Sequence, residues 1–128
     1  MIEPHLIEIK TFPSQKGILS TIDSKNNLPF EIRRIFSIYN IPINTERGNH
    51  AHKKLKQFIW VLNGVLEIST VSNDMKKLNF RLEKSNIGLY IPELTWSSQT
   101  TKSDNCIYCV AASDYYDESE YIRDFKDF

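Results

Sequence analysis

The stretch from residue 47 to residue 70 constrains the fold more than any other. It reads Arg47-Gly48-Asn49-His50-Ala51-His52-Lys53-Lys54, then runs through Phe58-Ile59-Trp60-Val61-Leu62 and Asn63-Gly64 into Val65-Leu66-Glu67-Ile68. β-Branched and aromatic residues at this density suit a pleated, buried surface better than a helix. Successive side chains of a strand point to opposite faces, so His50 and His52 share one face. Asn63-Gly64 lies between two β-forming runs, the strongest hairpin signal in the chain, and predicts a type I′ turn. Two imidazoles side by side suggest a metal site, an acid/base pair or a ligand clamp.

The remainder repeats this pattern at short spacing. Strands are expected over residues 3–11, 18–22, 31–39, 65–71, 77–82, 88–91, 95–99 and 106–112, with turn-forming clusters between them. Ser113 or Asp114 is expected to cap a final helix through Tyr121, with Asp117, Glu118 and Glu120 near its start. Short strands and one terminal helix predict an all-β barrel or sandwich. At 128 residues, one domain over 1–128 is expected, with a core of its own. Lys+Arg and Asp+Glu are both 16, so the net charge is zero, which argues against a broad nucleic-acid surface. No apolar run is long enough for a membrane span, and residues 1–10 carry no signal-peptide pattern, so a cytoplasmic protein is expected. Cys106 and Cys109 form one CxxC without a second pair and read as buried structural thiols.

The spacing around the histidines is similar to the first cupin motif, HxH followed by Glu and then Gly. Here the positions hold His50, His52, Gln57 and Gly64. The second motif, PxGxxH, corresponds to Pro92-Glu93-Leu94-Thr95-Trp96-Ser97, with Ser97 where a third histidine would stand. A divalent ion in such a cage would be held by three imidazoles and a carboxylate. With an amide and a hydroxyl at two of those positions, no metal is expected. The two histidines are then better used as acid/base groups, because their unperturbed pKa lies near neutral pH.

The chain also resembles a specific cupin family, the dTDP-sugar 3,4-ketoisomerases (WxcM-like cupins). The residues that carry the likeness are Gly17-x-Leu19-Ser20, Arg34-Ile35-Phe36-x-Ile38-Tyr39-x-Ile41-Pro42, Arg47-Gly48-x-His50-Ala51-His52-Lys53, Gly88-Leu89-Tyr90-Ile91-Pro92 and Tyr115-Tyr116-Asp117-Glu118-x-x-Tyr121-Ile122-Arg123. The resemblance implies a single-domain, RmlC-like jelly-roll barrel with a short C-terminal helix. It implies conversion of dTDP-4-keto-6-deoxyglucose to a dTDP-3-keto-6-deoxyhexose through an enediol, without metal or cofactor, in deoxyaminosugar biosynthesis. It also implies a homodimer, in which the strand over residues 3–11 would pair between subunits. His50 and His52 inherit the catalytic roles.

Arg33, Tyr39, Arg47, Lys53, Gln57, Trp96 and Ser97 are the candidate substrate contacts. The diphosphate needs cations, and Arg47 and Lys53 flank the histidines. Arg33 and Arg34 are adjacent, so only one points inward; alternation groups Arg34 with Ile32, Phe36 and Ile38, and Arg33 with Ile35 and Tyr39. Tyr39 and Trp96 are suited to stacking on thymine or sugar. The chain departs from the family at Ser97, where an Arg usually follows the Trp, at Phe36, usually Tyr, and at Asp23, usually Glu. A cation at position 97 would stabilise an enolate oxygen or the diphosphate. Its absence requires another cation to serve, or leaves a nucleotide-sugar-binding cupin without catalysis. A metal-dependent cupin enzyme is the third reading.

Overall fold

The structure, a computed structural model, describes residues 2–128. Among the described residues twelve strands form in chain order: β1 (His5–Glu8), β2 (Lys10–Ser14), β3 (Gly17–Thr21), β4 (Arg34–Ile38), β5 (Glu46–His52), β6 (Gln57–Asn63), β7 (Leu66–Ser72), β8 (Lys77–Leu82), β9 (Ile87–Ile91), β10 (Thr95–Thr101), β11 (Ile107–Ala112) and β12 (Tyr121–Ile122). They build two antiparallel sheets, ordered β1-β9-β6-β11-β4 and β12-β5-β10-β7-β8, with β2 and β3 as a separate hairpin. This is the all-β jelly-roll barrel expected from the sequence. Among the described residues, no helix is long and apolar enough to cross a membrane.

The core follows from strand alternation. Burial along β7 and β10 alternates strictly, so every second residue enters the barrel. Ile59, Val61, Leu66, Ile68, Leu89 and Val110 meet between the sheets. A second cluster covers the outside of the first sheet, where Phe58, Tyr90 and Ala111 lie under Ile9, Leu28 and Phe30. β6 is therefore apolar on both faces, which explains its unbroken hydrophobic run. Cys106 and Cys109 are free and buried, as expected.

Three local expectations need correction. Asn63-Gly64 does not close a hairpin: β6 pairs with β11 and β9, and β7 with β10 and β8. The dipeptide instead carries the chain from one sheet to the other. Gly64 has φ +89°, and a Cβ there would sit 2.8 Å from Cys106 Cα, while Asn63 Nδ2 donates to the Asn105 carbonyl at 2.9 Å. The same chemistry that suits a tight hairpin suits this corner.

The expected N-terminal strand breaks at Ile9, which turns into the outer core as its N–H donates to the Asn86 carbonyl. The C-terminal helix is reduced to 3-10 turns at Glu118–Glu120 and Phe125–Asp127, capped by Asp117 and Asp124. Between them Tyr121–Ile122 pairs with β5. A short isolated helix gains little, whereas the tail satisfies its backbone on the otherwise free edge of β5.

Candidate active site

β5 carries the site, and a bulge within it sets which residues face inward. Ser97 of β10 pairs with His50, but Ser98 pairs with Gly48, so Asn49 is the extra residue. Gly48 and Asn49 both have positive φ, 91° and 59°. A Cβ on Gly48 would lie 3.0 Å from the Ser97 carbonyl oxygen, so glycine alone fits. On a regular strand Arg47 would face away from His50. The bulge places Arg47 opposite Gln99, whose side chain is buried with Ser97. Arg47 then reaches Tyr108, where its charge opposes the upward push of burial on the phenol.

The histidine rings meet edge to face, 4.9 Å apart between centroids. Tyr121, the cross-strand partner of His52, packs on both rings at 4.5 and 4.9 Å. His52 is only 4% exposed, and burial, followed by His50, Arg34 and Arg123, lowers its pKa to about 3. Burial also lowers His50, against an opposing backbone contact at Gly48. Both imidazoles are therefore neutral at pH 7. Among the described residues, neither ring nitrogen of His52 has a partner, nor has Nδ1 of His50. The pair can accept protons from a ligand that enters the barrel.

The C-terminal segment holds this geometry in place. Lys54 and Leu55 N–H groups both donate to Glu120 Oε1, at 2.8 and 3.0 Å, and Lys53 N–H donates to the Glu120 carbonyl. The Tyr116 hydroxyl donates to Glu118, which takes a two-point contact from Arg123 at 2.6 and 2.9 Å. The Arg123 guanidinium lies 4.3 Å over the Tyr121 ring, on the histidines' doorstep. Opposite, Arg34 rests against the rings of Phe36 and Tyr116 at 5.1 and 5.7 Å.

The structure divides the predicted contacts. His50, His52, Gln57 and Ser97 all line the interior, and the bulge turns Arg47, which is itself exposed, to the same side. Gln99 Nε2 donates to Ser97 Oγ at 3.2 Å. Arg33 is exposed on the outside, tied by its N–H to the Ala112 carbonyl; Arg34 is the inward member of that pair. Lys53 is exposed, with its charge toward Asp117. Tyr39 is exposed just beyond the end of β4 remote from Arg34. Trp96 faces outward and packs on Phe125 and Phe128 of the tail, at 5.2 and 6.1 Å, so it has no access to the histidines. For Arg33, Tyr39 and Trp96 the alternation that runs through β4 or β10 decides the side.

Tyr121, Tyr116, Glu118 and Arg123 were not among the predicted contacts, although the YDExxYIR run that contains them was visible. Strand alternation alone would have selected Arg34. Among the described residues, no group of three or more His, Cys, Asp or Glu side chains is placed to hold a metal. The arrangement suits proton transfer to and from a polar ligand.

Comparison with known proteins gives a consistent result. The family FdtA, described as WxcM-like, C-terminal, matches residues 2–128. A TDP-4-oxo-6-deoxy-α-D-glucose-3,4-oxoisomerase of Aneurinibacillus thermoaerophilus is 34% identical over 99% of this chain and 91% of its own. QdtA, a sugar 3,4-ketoisomerase of Thermoanaerobacterium thermosaccharolyticum solved with TDP, superposes with TM-score 0.91 at 34% identity, over 98% of this chain and 90% of its own. WlaRA, a TDP-fucose-3,4-ketoisomerase of Campylobacter jejuni, gives TM-score 0.91 at 35% identity, over 98% and 93%. With a family match from end to end of the described chain, this protein belongs to the WxcM-like, C-terminal family of sugar 3,4-ketoisomerases.

Proposed function

We propose that this protein converts dTDP-4-keto-6-deoxyglucose into a dTDP-3-keto-6-deoxyhexose, with His50 and His52 as the proton-transfer pair. The observation that carries the reading is the pair itself: two neutral imidazoles in contact, with free ring nitrogens, inside a barrel of this family. One relative, QdtA, has been captured in a histidine-to-asparagine variant with TDP-4-keto-6-deoxyglucose. In the proposed reaction one imidazole takes the C3 proton. The C–H electron pair becomes the C3=C4 bond, and the carbonyl π pair moves to O4. C4 then receives a proton, O3 loses its own as the C3 carbonyl forms, and O4 ends as a hydroxyl. Neutral bases near the reacting carbon serve this chemistry.

In the same reading Arg47, Gln57 and Ser97 contact the nucleotide sugar from the interior, and residues 1–128 act as one cupin domain in the cytoplasm. The protein acts as a homodimer. The β2–β3 hairpin supports this, since it forms a sheet of its own and leaves Phe12, Ile18 and Leu19 exposed, an unusual use of apolar surface in a monomer. Incubation with freshly prepared dTDP-4-keto-6-deoxyglucose, followed by NMR, is expected to reveal a 3-keto product and its C4 configuration. Tight TDP binding without turnover would overturn the isomerase assignment, and a monomer by light scattering would overturn the dimer.

A further inference from the structure

We propose that Arg34 is a catalytic residue of this site, and that its guanidinium holds the two oxygens of the enediolate. The proposal rests on the isomerase reading given above.

Arg34 enters the barrel from the first strand position of β4, on the face of Phe36 and Ile38. Its Nε and Nη2 are buried and have no hydrogen-bond partner among the described residues. Among the described residues Arg34 forms no ion pair, whereas Arg123 across the site is held by Glu118. Arg34 as a whole is half-buried, and shutting its Nε and Nη2 away from water without an acceptor is unfavourable, so a fold that does so keeps a place for one. Phe36 and Tyr116 lie against the group, and neither gives an acceptor to its Nε or Nη2.

The two orphaned nitrogens are informative as a pair. Nε–H and one Nη2–H leave the same edge of a guanidinium in parallel, forming the fork that grips two neighbouring oxygens. In the ground-state substrate O4 is a carbonyl and O3 a hydroxyl, and neither carries a full charge. After loss of the C3 proton both oxygens lie in the plane of one C3=C4 unit, O4 carrying the negative charge while O3 keeps its proton until the C3 carbonyl forms. A fork that binds this state more tightly than the substrate lowers the barrier rather than merely the KM.

The position is consistent with that task. Arg34 is close enough to His52 for its charge to help keep that ring unprotonated, so the base and the cation face one space. Tyr116 and Tyr121 link them, 5.7 Å apart, with Tyr121 against His52. Across from His50, Ser97 offers a neutral hydroxyl already engaged by Gln99. Arg47 lies beyond the bulge, at Tyr108.

The test compares Arg34→Gln and Arg34→Lys with the wild-type full-length protein, measuring kcat by NMR, TDP affinity by calorimetry and the melting temperature. Arg34→Gln is expected to lose about 10²–10³-fold in kcat, the scale seen when one oxyanion donor is removed. TDP affinity should stay within about threefold, because TDP carries no enediolate. The melting temperature should hold or rise, because a half-buried charge with two unpartnered nitrogens is gone. Arg34→Lys keeps a charge without the fork and should still lose about tenfold.

Four results would overturn the proposal. A kcat near wild type in Arg34→Gln removes the catalytic role outright. A weakening of TDP binding by tenfold or more, with kcat retained, makes Arg34 a diphosphate clamp. A lower melting temperature with kcat retained, or a wild-type rate in Arg34→Lys should Arg34→Gln fail to fold, makes it a structural pillar. A wild-type protein that binds TDP but does not isomerise the sugar removes the isomerase reading and this one together, an outcome distinct from the other three.

Discussion

Between the sheets, Ile59, Val61, Leu66 and Leu89 fill their half of the interior with apolar contacts alone, whereas Arg34, His50 and His52 line theirs with buried nitrogens that have no partner. The two regions share the same strands. β5 is solvent-facing at Glu46 and sealed at His52, and β6 begins at Gln57 before becoming apolar at Ile59. The apolar half supplies stability through burial and close packing. The polar half gives some of it up, because orphaned buried polar groups oppose folding. A fold in which every interior residue served packing would have satisfied or removed those groups.

Substitutions in each half should therefore separate function from stability. His50→Asn or His52→Asn is expected to lower kcat by about 10²–10⁴-fold, the range for a lost general base or acid. Neither should reduce the melting temperature much, because each shortens a side chain with an unpartnered ring nitrogen. An NMR rate assay beside a thermal melt checks both. Leu66→Ala should do the reverse. Leu66 is fully buried in the apolar half, and its truncation is expected to cost about 2–5 kcal/mol, with kcat per folded molecule unchanged. Denaturant titration measures the loss. A Leu66→Ala protein with wild-type stability, or a His52→Asn protein that unfolds, would erase the contrast between the halves.

Much of this was legible in the sequence. Alternation and turn spacing fixed an all-β barrel, and HxH followed by Gln57, with Ser97 later, located the polar half. What escaped depends on register and on non-local pairing. Arg47 was expected at the site as a cation flanking the histidines, but what turns it inward is one extra residue, Asn49, since a one-residue shift reverses every face that follows. Asn63-Gly64 suggested a hairpin because local turn chemistry is blind to which sheet the next strand joins. The tail offered good helix caps, but its pairing with β5 and the ring contacts of Tyr121 exist only once a strand from mid-chain is in place. Trp96 and Arg33 were assigned to the site by residue type; alternation along β10 and β4 puts both outside.

Acid should weaken the polar half first. His52 titrates near 6.5 when unfolded and near 3 in the fold, chiefly through burial. Below pH 6.5 the unfolded chain binds a proton that the native state refuses, so stability contributed by neutral His52 is complete above that pH. It declines as pH falls toward the folded value and is gone below it. The decline is on the order of a few kcal/mol across the window. Denaturant midpoints from pH 7 to pH 4 should fall in the wild type and fall less steeply in His52→Gln. Parallel profiles would show that His52 takes up its proton over the same pH range folded as unfolded.

The smallest effect is expected at the rim of the polar half, in Glu118→Gln. The Glu118–Arg123 pair is exposed, and surface pairs of this kind contribute little to stability, so the melting temperature should scarcely move. Its electrostatic influence should nevertheless be readable. Glu118 raises the pKa of His50 and Arg123 lowers it. With the carboxylate replaced by an amide, the charge of Arg123 is left uncompensated and His50 should titrate at a lower pH than in the wild type. NMR titration of the His50 ring protons in both proteins measures the displacement, and added salt should shrink it. A displacement upward would mean that Arg123 swings away once released, so that the arginine is held over Tyr121 by Glu118 rather than by the ring itself.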